Sequence, residues 1–113
     1  MSKRNANVLV SEMQDAVESI LSYTKGMNQD GFAIDKKTKD AVLRNLIVLG
    51  EAVTRLPAEF RELHPQIEWE KIARSRHVIV HDYFDVDYEI IWKIVTVYLP
   101  DLKVKLAGLI SPS

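Results

Sequence analysis

Cysteine is absent from this 113-residue chain, so disulfides, thiolate zinc sites and a catalytic thiol are all excluded. Long hydrophobic runs are absent too. The longest are about four residues, such as Leu46–Leu49, far short of the ~20 apolar residues of a membrane-crossing helix. Residues Met1 to Asn5 lack the apolar stretch of a secretory signal, so a soluble, cytoplasmic protein is expected. Charge of one sign is not in excess. Fifteen Lys and Arg against sixteen Asp and Glu leave a net charge of −1, so a polyanion partner would have to be held by local charge. His64, His77 and His81 show no zinc-type pairing: His77 and His81 have helical spacing, but Asp82 adjoins them rather than lying between. No metal or other cofactor is expected.

What is present is a hydrophobic fraction of 47%, enough for about two-thirds of the chain's surface to be buried in one core. The chain is too short for two independent domains, and it shows no internal repeat, linker or low-complexity tract, so residues 1–113 read as a single domain. The apolar residues follow a helical period. Leu9, Met13, Ala16, Val17, Ile20 and Leu21 make one stripe, and the stretch Gly26 to Gly31 reads as a loop. Asp35 is placed to cap a second helix running to Leu56, with Val42, Leu46, Leu49, Val53 and Leu56 on its apolar face and Ala41, Ile47 and Ala52 broadening it. Pro57 suits the first position of a short helix ending near Leu63, and His64 is extended by Pro65. A third main helix is predicted from about Glu68 to about His81, carrying Trp69, Ile72, Ala73, Val78 and Val80. Asp85 or Asp87 can cap a fourth, with Ile90, Ile91, Ile94, Val95, Tyr98 and Leu99 inward. Pro100 should kink or restart it before Leu102, Leu106, Leu109 and Ile110. Short connections favour antiparallel neighbours. The expected fold is an all-α, up-and-down bundle of four to five helices.

Residues 71–89 break the even mixing of charge. Lys71, Arg74, Arg76 and His77 form a basic cluster, followed by Asp82, Asp85, Asp87 and Glu89. Complementing the dipoles of two successive helix ends would explain both groups without any function. Spacing adds another possibility. Arg76 and Tyr83 are seven apart and share a face on a continuous helix, whereas His81 lies about 140° from Arg76. Either the helix ends before His81 or a second copy of the chain completes the group. A guanidinium grips phosphate through paired hydrogen bonds, an imidazole exchanges protons near neutrality, and a phenol orients or donates. Together they suit phosphodiester transfer without a metal.

The pattern Arg76-x4-His81-x-Tyr83 resembles the Arg-x4-His-x-Tyr signature of HepT toxins, in the HEPN superfamily of small helical ribonucleases. Leu49-Gly50-Glu51-Ala52, Trp69 to Ile72, Tyr83 to Asp87, Ile91-Trp92 and Leu99-Pro100-Asp101-Leu102 extend the likeness over nearly the whole chain. The family's common Arg-Asn start is Arg76-His77 here. The resemblance implies a HEPN-like helical homodimer whose two motifs line one cleft. It implies a metal-independent endoribonuclease toxin that takes RNA and is partnered by a small nucleotidyltransferase antitoxin of the MntA type, which adds AMP to the motif tyrosine, here Tyr83. On this reading His81 transfers protons, Arg76 stabilises the pentacoordinate phosphate and Tyr83 orients, while Lys71, Arg74 and His77 hold RNA. A second imidazole would come from the partner copy.

Two other classes compete: a non-catalytic nucleotide- or RNA-binding module partnering a nucleotidyltransferase, and a plain helical oligomerisation module. Replacing His81 separates the first two readings, because only an enzyme has cleavage to lose. Trp69 and Trp92 fit core or dimer-interface anchors, Lys36, Lys37 and Lys39 a solvated helix start, and His64 a surface turn. Glu51 follows Gly50 inside a helix, and a close crossing there would bring it to the motif.

Overall fold

The computed structural model describes residues 3–109, which form helices and no strand. Helix α1 (Lys3–Thr24) buries Ala6, Leu9, Val10, Met13, Ala16, Val17 and Ile20 along one stripe. Its last turn closes with the Thr24 hydroxyl donating to the Ile20 carbonyl at 2.9 Å, and Gly26 then reverses the chain at φ +80°, a left-handed conformation that costs glycine nothing.

The next element corrects the sequence expectation. The loop is shorter than Gly26–Gly31, because Asn28 caps a helix α2 (Gln29–Ile34) by accepting from the Gly31 amide at 2.8 Å. This short helix delivers Phe32 into the core, where its ring meets Trp92 at 5.0 Å and Tyr88 at 6.2 Å between centroids. Asp35 caps helix α3 (Lys36–Arg55) as predicted. The Thr38 amide donates to its carboxylate at 3.0 Å and holds that carboxyl below its ordinary value of 3.8.

Pro57 caps helix α4 (Ala58–Leu63), and helix α5 (Trp69–His81) follows. A 3-10 turn (Tyr83–Asp85) leads to helix α6 (Tyr88–Lys93), capped by the Asp87 carboxylate on the Glu89 amide at 2.9 Å. A π turn (Ile94–Tyr98) joins α6 without a break to helix α7 (Leu99–Ala107). Pro100 stands in the first turn of α7, where the expected restart places it. The wide turn before it, in which the Leu99 amide reaches back to the Ile94 carbonyl, accommodates a ring that an ordinary helix interior rejects. Leu99, Leu102 and Leu106 are buried, Leu109 is half-buried, and Ile110 lies outside the described residues.

α3 lies between α1 and α5, and α1 also packs on α7, giving the expected all-α bundle. Between α5 and the α6–α7 run the bundle is open. Ile72, Ser75, Ile90, Ile94, Val97 and Tyr98 line a groove of 710 Å³ there, and Val78 and Val86 continue it. Burial pushes the Tyr98 phenol up to about 12. Several residues expected inside line this seam or solvent instead: Ile90 is 58% exposed, Val78 49% and Val80 42%.

Because Phe32 is fully buried between two aromatic partners, Phe32→Ala should cost about 3–5 kcal/mol in a denaturant melt. A loss below about 1 kcal/mol would mean that α2 is not part of the core.

Candidate active site

Helix α5 is anchored at its start by Trp69, whose indole donates to the carbonyls of Arg61 at 3.1 Å and His64 at 3.0 Å. Its buried residues are Trp69, Ile72 and Ile79. Arg76 falls in phase with them, at spacings of three, four and three, so the fold aims a guanidinium stem at α3 where an apolar side chain would be expected. Two adjacent residues of α3 receive it. Gly50 leaves room: a Cβ built there would lie 2.3 Å from Arg76 Cβ and 3.2 Å from the Ile72 carbonyl oxygen. Glu51 supplies the counter-charge, with Oε2 2.8 Å from Arg76 Nε. The contact is ionic rather than an aligned hydrogen bond, since the sealed Nε–H finds no acceptor in line. Arg55, one turn further along α3, is occupied by Glu12 of α1 at 3.7 Å.

His77 and His81 sit one turn apart on the exposed flank of α5, their ring centroids 4.2 Å from each other. The helix runs through His81 and ends at Asp82, so Tyr83 leaves it at once, in the 3-10 turn. Tyr83 is 39% exposed, and its ring stands edge-on to that of Phe84, which is 97% exposed. Lys36 and Tyr88 lie within electrostatic reach of Tyr83. The Lys36 amine is raised above 10.5, first by its hydrogen bond to Asp40 and then by that carboxylate's charge, with the two phenols adding. Of the outer cations, Lys71 pairs with Glu68 at 3.5 Å and Arg74 faces solvent.

The structure thus brings Arg76 to Glu51 and His81 to His77. No hydrogen bond or ion pair joins Arg76, His81 and Tyr83 to one another within the chain. Among the described residues no group of three or more His, Asp or Glu is arranged to hold a metal ion. Trp69 and Trp92 are both packed against the core. Lys39 is not simply solvated: its amine donates to the Ala33 carbonyl at 2.8 Å and lies 4.6 Å over the Tyr88 ring. His64 is half-buried against the Phe60 ring, 4.7 Å between centroids.

This arrangement can be set beside known proteins. The profile of the ribonuclease HepT-like family matches residues 13–108. The chain belongs to the HepT-like ribonuclease family. The probable ribonuclease HepT of Thermococcus cleftensis is 38% identical over 107 residues, 95% of this chain and 97% of its own. A candidate RNase of Methanocaldococcus jannaschii is 40% identical over 101 residues, covering 89% of this chain and 84% of its own. A third relative of the same description, from Caldanaerobacter subterraneus, is 38% identical over 86 residues, 76% of this chain and 77% of its own. No solved structure matches this HepT-like chain significantly.

The exposure of Phe84 beside the motif was not foreseen. The partner of Arg76 has a signal in the sequence. A cation in step with Trp69, Ile72 and Ile79 lies on a buried stripe and therefore requires an acid across the helix crossing, and Glu51 beside a helix-interior glycine meets that need.

Gly50→Ala gains helix propensity of about 1 kcal/mol. The added methyl nevertheless forces α3 and α5 apart, so the net effect should be a loss of about 1–3 kcal/mol in a denaturant melt. A variant as stable as the wild type would show that the crossing has slack.

Proposed function

We propose that this HepT-like chain is a metal-independent endoribonuclease toxin that cuts RNA by attack of a 2′-hydroxyl on the adjacent phosphodiester. The observation that carries this reading is a guanidinium fixed at a helix crossing with an exposed imidazole further along the same helix, in a member of a ribonuclease family. In this scheme Arg76 stabilises charge gathering on the pentacoordinate phosphate. His81 takes or returns the proton, worth about 10²–10⁴ in rate. Tyr83 orients the substrate, and His77, Lys71 and Arg74 add local positive charge for RNA.

His81 projects about 140° from Arg76 on a helix that does not end before it, so a complete site calls for a second copy of the chain. The open seam between α5 and the α6–α7 run offers a self-complementary apolar face, in which Ile90, Val97 and Val78 are exposed. Trp92, half-buried against Phe32, is less available for that role.

Control acts through Tyr83. Its place in a 3-10 turn just beyond α5 leaves the phenol reachable by a nucleotidyltransferase antitoxin. AMP attached there adds a bulky, negatively charged phosphodiester near the motif, which repels incoming RNA and competes for the arginine.

The purified protein should scatter light as a dimer and cleave RNA in EDTA, leaving a 2′,3′-cyclic phosphate or its hydrolysis product. His81 is exposed, so His81→Ala should abolish cleavage with its melting temperature unchanged and RNA binding retained. RNA binding without any wild-type cleavage would favour the non-catalytic binding module.

Co-expression with the neighbouring nucleotidyltransferase should add AMP-sized mass increments that Tyr83→Phe lacks. Inhibition with no added mass would mean that the antitoxin acts by occlusion alone.

A further inference from the structure

Arg76 is held from behind. Its Cβ and Cγ lie against the bare backbone of Gly50 and its Nε is sealed from water, yet its side chain keeps 34% of its exposure. That exposure therefore lies on atoms of the side chain other than Nε. Glu51 touches the inner nitrogen at 2.8 Å and is itself 51% exposed. Stability is a weak reason for such a pair, because half-exposed ion pairs contribute little. Among the described residues no second cation pairs with Glu51. Arg55, the other arginine on their shallow cavity of 330 Å³, faces Glu12.

We infer that Glu51 is a positioning residue for the motif arginine. It pins the inner edge of the guanidinium so that the outer edge, with its paired donors, faces an RNA phosphate. Its negative charge also weakens the arginine's grip on phosphate, in the ground state and the transition state alike, so its benefit to turnover lies in the fixed geometry alone. The activity part of this inference rests on the ribonuclease reading. The binding part does not.

The test is a double-mutant cycle on Glu51 and Arg76, read first with a 2′-O-methyl RNA oligonucleotide, which has no attacking hydroxyl. Glu51→Ala should tighten binding about three- to tenfold and steepen the salt dependence by about 0.7 in log–log slope, as one more effective cation is unmasked. Both effects should vanish in the Arg76→Ala background. With cleavable RNA, Glu51→Ala should lower kcat about ten- to a hundredfold while KM also falls, and Glu51→Gln should recover part of kcat. A merely structural role lowers the active fraction and leaves KM alone.

Equal tightening with and without Arg76 would reduce Glu51 to a general surface charge and overturn the inference, as would an unchanged kcat in an active enzyme. A wild type that binds the oligonucleotide but cuts no RNA overturns the ribonuclease reading, and the binding cycle still decides the role of Glu51. A wild type that does not bind overturns both.

Discussion

The crossing of α3 and α5 at Gly50 is the constraint on which the motif depends. Two helix backbones approach there more closely than any side chain on α3 would allow, and the contact is with the stem of a charged residue rather than with another small one. The arginine keeps 34% of its exposure there, and Glu51 meets its inner nitrogen from the position next to the glycine. One pair of neighbours in the chain therefore meets both requirements, space and charge. The orientation of everything later in α5, His77 and His81 included, is inherited from this contact and from the anchoring of Trp69 at the other end.

Most of the architecture was legible because its signals are local. Asp35 and Asp87 act as helix caps, as their positions suggest, and α1 and α3 bury the stripes their periodicity marks. The errors have specific causes. In α5 the apolar residues Val78 and Val80 drew attention from Ile79, because Arg76 interrupts the stripe and hides its true phase. Phe32 carries no core signal of its own, because the two glycines and Asn28 that precede it read as loop, although Asn28 starts a helix. Ile90 was assigned inward on a face that the bundle leaves open.

The candidate site was legible as a set of residues and less so as an arrangement. Helical geometry alone separates Arg76 from His81, and the fold does not remedy this by ending α5 early. What the fold adds is a difference in enclosure between the parts. The arginine is enclosed on one side by helix backbone, whereas His81, Tyr83 and Phe84 are exposed around the end of the helix. Such a division suits the roles proposed for them, a charge held at the helix crossing beside groups that face outward.

The π turn at residues 94–98 has a consequence for how this chain can tolerate changes in length. Ile91, Val95 and Leu99 are all buried at successive spacings of four, which in an unbroken α-helix would carry Leu99 about 80° around from Ile91. The wide turn takes up that drift, so Leu102 and Leu106 still meet the core. Removing a single residue from this turn would leave a more regular helix. Leu99 would then follow Ile91 by seven positions, within about 20° of the same face, so the leucines would keep the core while Pro100 came to lie in an ordinary helical interior. The extra residue of the wide turn thus serves the proline rather than the register of the core, and a deletion here would cost the room for that ring.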